Sequence, residues 1–443
     1  GAVPFVDIFD RKPVGLFLIY AFARLFGGEG TIEYQLLGCG FAFATAVLIW
    51  RFARRIAGQS GALAAAIAYL LWLTFLGGEG GQAPLFYNLP MVAAALLTAR
   101  AVERKRATMV GGGMAMLLVG TAMQVKYTAL FEGVFFGCAL LWTAWGEQRR
   151  PVRLLGFASA LILAALVPTL LALLVYAARG HAGEFIFANF GSMWGKLPDP
   201  AATSLVGLLK IGAILLPLLA CAALPPGASD GVMIGRRRFV QLWLLAAIGG
   251  MLVMGSFPST HYGLPLLVPA TIAAAPRLDQ RGRGRLLVWA SLILALIGGQ
   301  IAIALKARSH GTARDAARLA TAADPHGRGC LYVYDGYPAL YRLTHSCLPT
   351  RFVFPGHLDT ANEASAAGLG VDPSVEVRRI MASRPVTVVI EDPPFERVNR
   401  ATYAIVRAEL AAHYRPTFDL VLGKRRHRLV YRRIDCGVCL EPD

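Results

Sequence analysis

The segment RRPVRLLGFASALILAALVPTLLALLVYAARG (149–180) holds 25 successive uncharged residues between Arg153 and Arg179, of which 155–178 is the candidate span. A helix crossing the apolar core of a bilayer needs about 20 such residues. The stretch therefore reads as a transmembrane helix with its interfacial anchors. Comparable apolar blocks recur at 37–56, 61–78, 86–102, 108–124, 127–145, 203–224, 239–257, 262–276 and 286–306, which predicts about ten spans. Composition agrees: of 443 residues 56% are hydrophobic and only 16% charged, with a mean hydropathy of +0.53. A soluble protein of this length carries about a quarter charged residues. Residues 307–443 instead have an ordinary soluble composition. The expectation is a mainly α protein: an external stretch with an interfacial helix (1–36), a polytopic bundle (37–306) and a C-terminal extramembrane α/β domain (307–443).

The net charge of +17 raises the possibility of a nucleic-acid partner, but its distribution argues for membrane topology. Alternate connections collect seventeen Lys and Arg, in runs such as Arg51, Arg54, Arg55 and Arg236, Arg237, Arg238, whereas the opposite short loops hold three: Lys126, Arg179 and Lys196. The positive-inside rule makes the first set cytoplasmic. Ten spans then put residues 1–36 and 307–443 outside the cytoplasm. The C-terminal domain itself is nearly balanced, with 19 Lys and Arg against 15 Asp and Glu.

Cys39, Cys138 and Cys221 fall in spans and read as small apolar residues. Cys330, Cys347, Cys436 and Cys439 fall in the external domain, where disulfides are permitted and their pairing is open. CGVC (436–439) lacks the His or Cys partners of a zinc site, so it reads as structural disulfides or free thiols. No metal site and no cofactor are predicted.

Residues 13–27 are apolar for too short a distance to span, and Arg24 interrupts them; a helix lying in the interface is the expectation. GGG (111–113) reads as a site of close helix packing. In the C-terminal domain CLYVYDG (330–336), VTVVIED (386–392) and RHRLVYRR (426–433) pattern as strands, and SVEVRRIMAS and VNRATYAIVRAELAAHY as helices. Arg351 and the GKRRHR run (423–428) read as a solvated face.

The chemistry-bearing residues collect at the external membrane boundary: Asp7, Asp10, Arg11, Lys12, Glu79, Lys126, His261 and Tyr262. Lys and Arg at such a boundary suit a lipid phosphate, and a carboxylate suits proton removal from an acceptor hydroxyl. Each has a plain alternative. Lys12 and Lys126 also read as interfacial anchors, Asp10 as a helix N-terminal charge, Glu79 as a polar residue tolerated in a glycine loop, and Tyr262 as part of an aromatic belt.

VPFVDIFDRKPVGLFLIYAFARLFG (3–27) resembles the first external loop of the GT-C membrane glycosyltransferases, the superfamily of protein O-mannosyltransferases and bacterial lipid A aminoarabinose transferases. Their pattern there is an acidic residue, a turn, Lys-Pro-Pro and an apolar helix. Asp10, Lys12 and Pro13 match it, with Val14 replacing the second proline. WRFARRIAG (50–58), the lysine following GGGMAMLLVGTAMQ (111–124), THYGLPLLVPA (260–270) and GYPALYRLTHSCLPTRFVFPGHL (336–358) are weaker matches. The resemblance implies a sugar moved with inversion from a polyprenyl-phosphate donor to a lipid, glycan or protein acceptor. It implies Lys12 as the donor-phosphate contact, with Arg11 assisting; from their place at the boundary, Lys126 is a further phosphate candidate, and Glu79, His261 and Tyr262 are substrate-site candidates. The family's main catalytic aspartate lies earlier than the matched loop. The resemblance places it ahead of Gly1, which opens the alternative that the stretch as given is inactive on its own, and leaves Asp10, beside Asp7, as the acidic candidate within it. The rival expectations are a polytopic transporter or lipid flippase, and a non-catalytic envelope-assembly protein.

Overall fold

The computed structural model describes residues 2–28, 31–148, 150–223, 231–394, 397–423 and 425–434. Arg149, Cys436 and Cys439 thus lie outside the described residues. Helices occupy all ten expected positions. They follow a short α1 (Val14–Arg24) and are α2 (Thr31–Ala53), α3 (Gln59–Phe75), α4 (Ala83–Glu103), α5 (Met109–Met123), α6 (Ala129–Gln148) and α7 (Pro151–Ala177), then, past α8 (Ala182–Asn189), α9 (Ala201–Ala223), α10 (Gly231–Val253), α11 (Leu264–Leu278) and α12 (Gly282–His310). Where the sequence predicts about ten spans, six of these helices (α2, α4, α6, α7, α9 and α12) are long and apolar enough to cross a bilayer, among the described residues. Helices α3, α5 and α11 have 17, 15 and 15 residues, and α10 carries Arg236, Arg237 and Arg238 in its first turns.

The chain divides into two compact units. The larger holds residues 12–175 and 199–302. Its centre is the α3–α11 pair, whose facing surfaces are built of small residues: Ala62, Ala65, Ala270 and Ala274 are fully covered. Small side chains let helix backbones approach in a membrane, where apolar burial gives no preference for helix over lipid. A Cβ on Gly61 would stand 2.4 Å from the Ala275 carbonyl oxygen, so only glycine fits there. Asp279, just past α11, accepts hydrogen bonds from the backbone N–H of Gly58 (2.7 Å) and Gly61 (3.1 Å), satisfying the open end of α3. Of the three glycines at 111–113 only Gly112 packs as expected, against Phe157 and Leu161 of α7; Gly113 faces open space.

Helix α1 has 11 residues, too few to span. Leu16 and Ala23 turn inward, while Leu18, Phe22, Leu25 and Phe26 are exposed, the pattern of a helix resting on an apolar phase.

The smaller unit gathers residues 1–11, 176–198 and 303–443. After α12 come α13 (Ala313–Ala323), the one-turn α14 (Leu340–Leu343) and α15 (Ala366–Leu369), α16 (Pro373–Ala382) and α17 (Arg400–His413). The strands are β1 (Leu331–Val333), β2 (Thr387–Asp392), β3 (Tyr414–Leu422) and β4 (Arg426–Arg433). They form one sheet in the order β1-β2-β4-β3, with β1 parallel to β2 and the other pairings antiparallel. Leu319, Leu331, Val389 and Val430 fill its core. Cys330 and Cys347 form a disulfide, which decides the pairing for those two. Thr312, Asp372 and Asn399 cap α13, α16 and α17 through their side chains.

The GKRRHR run departs from its expected role. In the antiparallel register Glu391 lies opposite Arg428, and the buried Glu391 carboxylate is held by Arg428 Nε (2.8 Å) and Arg426 Nε (3.4 Å). Arg351 likewise packs over Phe9 and Phe352 instead of facing solvent alone.

Candidate functional site

Lysine 126 follows α5, Lys12 precedes α1, and His261 and Tyr262 sit on the 3₁₀ turn Thr260–Gly263 that leads into α11. More than a hundred residues separate each of these segments in sequence. What joins the first two is Gly15. A Cβ there would stand 2.5 Å from the carbonyl oxygen of Gln124, so the first turn of α1 lies directly on the end of α5. Pro13, buried, sets the entry of the chain into that turn.

The third segment is tied by ring contacts. Lys126 Nζ lies 4.9 Å from the centroid of Tyr262, a cation–π geometry. His261 stacks on Tyr262 at 4.5 Å and 25° between planes, and its Nδ1 is 2.9 Å from Ser259 Oγ. Phe257 closes the edge of Tyr262 at 6.3 Å. Ser259 and Phe257 went unread in the sequence, and only their spacing from His261 in FPSTHYG could have signalled them.

These groups also act on one another electrostatically. Lys126 is pushed down to about 8, first by burial and then by the positive charge of Lys12. His261 is pushed down to about 4 by burial, then by Lys126 and Lys12, and is therefore neutral at ordinary pH. Among the described residues no carboxylate lies within 4 Å of Lys126. A half-buried lysine depressed in this way, beside a second lysine, is a place where an anion is strongly favoured.

The structure thus brings Lys12, Lys126, His261 and Tyr262 together. Glu79 is exposed on the turn Gly78–Gly80, between the left-handed Gly77 and Gly81, and Tyr20 of α1 donates to the Gly81 carbonyl at 3.0 Å. The other three candidates belong to the smaller unit. Asp7 is exposed and accepts from the Val3 N–H (2.7 Å), and Asp10 is buried and accepts from the Arg11 N–H (2.7 Å).

Arg11 corrects an expectation. Its guanidinium forms a two-pronged pair with Glu363 (2.5 and 2.8 Å), donates to Ser192 Oγ (3.1 Å) and to the Gly368 carbonyl (2.7 Å). Four of its five N–H groups are spent inside the smaller unit, so it is a structural tie and not a phosphate donor.

The class of protein defined by fold and site is a polytopic helical bundle with a small α/β unit and two lysines converging at helix ends. Residues 10–171 match the family described as dolichyl-phosphate-mannose-protein mannosyltransferases. The fold is similar to that of ArnT from Cupriavidus metallidurans in complex with undecaprenyl phosphate, at 14% identity and a TM-score of 0.61, covering 98% of this chain and 90% of that one. The apo structure of the same ArnT gives 13% identity and a TM-score of 0.59, covering 98% and 89%. No curated protein sequence matches the chain. Together the family match and the shared fold indicate a glycosyltransferase of the GT-C type, a multi-pass membrane protein.

Proposed function

We propose that the chain captures a polyprenyl-phosphate sugar at the Lys12–Lys126 cluster and transfers the sugar, with inversion, to a lipid, glycan or protein acceptor on the outer face of a bacterial inner membrane. The observation that carries this reading is the convergence of two lysines and a neutral His–Tyr pair at the ends of helices, beside the exposed apolar face of α1. The undecaprenyl phosphate held by the similarly folded ArnT supports the same class of carrier lipid. The seventeen-to-three partition of Lys and Arg supports the orientation.

In the reaction the acceptor oxygen forms a bond to the anomeric carbon from the face opposite the phosphate. The bond from that carbon to the phosphate oxygen breaks, and the released polyprenyl phosphate gains one negative charge. Lys12 and Lys126 stabilise that developing charge, the point at which preorganised cations act most strongly. The acceptor proton passes to a carboxylate base. His261, neutral, orients Tyr262 and through it Lys126. Glu79, on its exposed turn, is the candidate for contact with polar groups of a substrate.

The experiment is sugar transfer in proteoliposomes, using a polyprenyl-phosphate sugar as donor. Lys12→Ala and Lys126→Met are each expected to lower kcat/KM at least about tenfold, the loss of one charge-assisted phosphate contact. Wild-type rates in both variants would refute the phosphate role. Cargo flux without any sugar transfer would favour the transporter reading instead.

A further inference from the structure

The larger unit has a second polar feature, a cleft of about 500 Å³ at the C-terminal ends of α2 and α4. Arg51, Arg54 and Arg55 line it from one helix end, and Arg100 and Arg104 from the other. Its one lining carboxylate, Glu103, is already engaged by Arg55 and by Arg236, whose Nε lies 3.2 Å away. Among the described residues Arg51, Arg54, Arg100 and Arg104 have no carboxylate within 4 Å; Arg54 is steadied by Gln59 Oε1 at 3.1 Å. Arg55 also keeps its Nη1 buried with no hydrogen-bond acceptor.

Arginines at helix ends ordinarily spread around the bundle and snorkel to water. Here they converge on one solvent-open cleft, where the like charges favour the entry of an anion. The walls add a second requirement. Trp50 and Leu96 line the cleft about one turn deeper along α2 and α4, within the apolar parts of those helices. An occupant that suits both surfaces is charged at one end and apolar at the other.

We propose that this cleft binds the phosphate headgroup of an anionic diacyl phospholipid of the cytoplasmic leaflet. The phosphate oxygens meet the forks of Arg51, Arg55, Arg100 and Arg104, and the start of the acyl region lies along Trp50 and Leu96. Free phosphate shares the headgroup chemistry but leaves the apolar wall unused.

The test follows thermal unfolding of the purified chain in nonionic detergent while phosphatidylglycerol, phosphatidylcholine or inorganic phosphate is added. Phosphatidylglycerol is expected to raise the unfolding temperature saturably, and the other two are not. The triple variant Arg51→Gln, Arg100→Gln, Arg104→Gln should lose that shift. The charge-matched Arg281→Gln, Arg283→Gln, Arg285→Gln should keep it, as should Lys126→Met at the other site. A shift that survives in the cleft variant, or disappears equally in the charge-matched one, overturns the proposal. An equal shift with inorganic phosphate or phosphatidylcholine overturns the assignment to an anionic lipid. Should the cleft variant fail to fold, native mass spectrometry of the unaltered chain decides: retention of a phosphatidylglycerol after bulk lipid is stripped is expected, and its complete loss refutes the site.

Discussion

Lysine 126 offers the sharpest test of the donor site, because its charge is lost within an accessible pH range. With its pKa held near 8 by burial and by Lys12, it is about nine-tenths protonated at pH 7 and about one-tenth at pH 9. The sign follows directly. Lys126 carries charge below about 8 and is neutral above it, so an anion is held at pH 7 and released as pH rises. If the donor-bound lysine stays protonated, affinity falls about tenfold between pH 7 and pH 9, equivalent to about 1.4 kcal/mol. A polyprenyl-phosphate sugar is a phosphodiester, singly charged across that range, so the ligand contributes no titration of its own. Equilibrium binding of the labelled donor to the chain in nanodiscs measures this. Lys126→Met should bind more weakly at pH 7 and show a flat profile from pH 7 to 9. A flat profile in the unaltered chain, or the same decline in Lys126→Met, would refute the reasoning.

Two further outcomes follow from the two units. Arg11→Ala leaves the Glu363 carboxylate buried with only Lys196, 4.0 Å away, so stability should fall by about 3 kcal/mol or more, read as a lower unfolding temperature and faster proteolysis of the smaller unit; Arg11→Met with Glu363→Met should recover most of it. Gly15→Val forces α1 off the end of α5 and should weaken donor binding about as much as losing Lys126 does, roughly tenfold, while α-helical circular dichroism is unchanged.

The fold was largely legible because apolar runs and arginine loops are strong local signals: each of the ten runs became a helix. The count of qualifying spans was less so, since α3, α5 and α11 are shorter than the blocks that announced them. Strand β3 went unread because YRPTFDLVL alternates polar residues, holds Pro416, and directly follows the helical pattern ending at His413. The candidate site was legible only in part. Residue type and position singled out Lys12, Lys126, His261 and Tyr262, but their meeting depends on the contact of Gly15 with Gln124, a long-range fact that no local pattern carries. The tie between Arg11 and Glu363 spans 352 positions, and an exposed-looking arginine gives no hint of a buried partner.

The neutrality of His261 has a consequence for the environment in which the chain works. With its pKa near 4, the imidazole stays mostly neutral as a medium acidifies from pH 7 to pH 5, and Lys126, with its pKa near 8, stays charged over the same interval. The charge on this pair therefore changes little on the acid side and falls on the alkaline side. For a site proposed to face an outside medium that the cell does not buffer, this is a one-sided tolerance: mild acid leaves donor capture largely intact, and alkaline conditions weaken it.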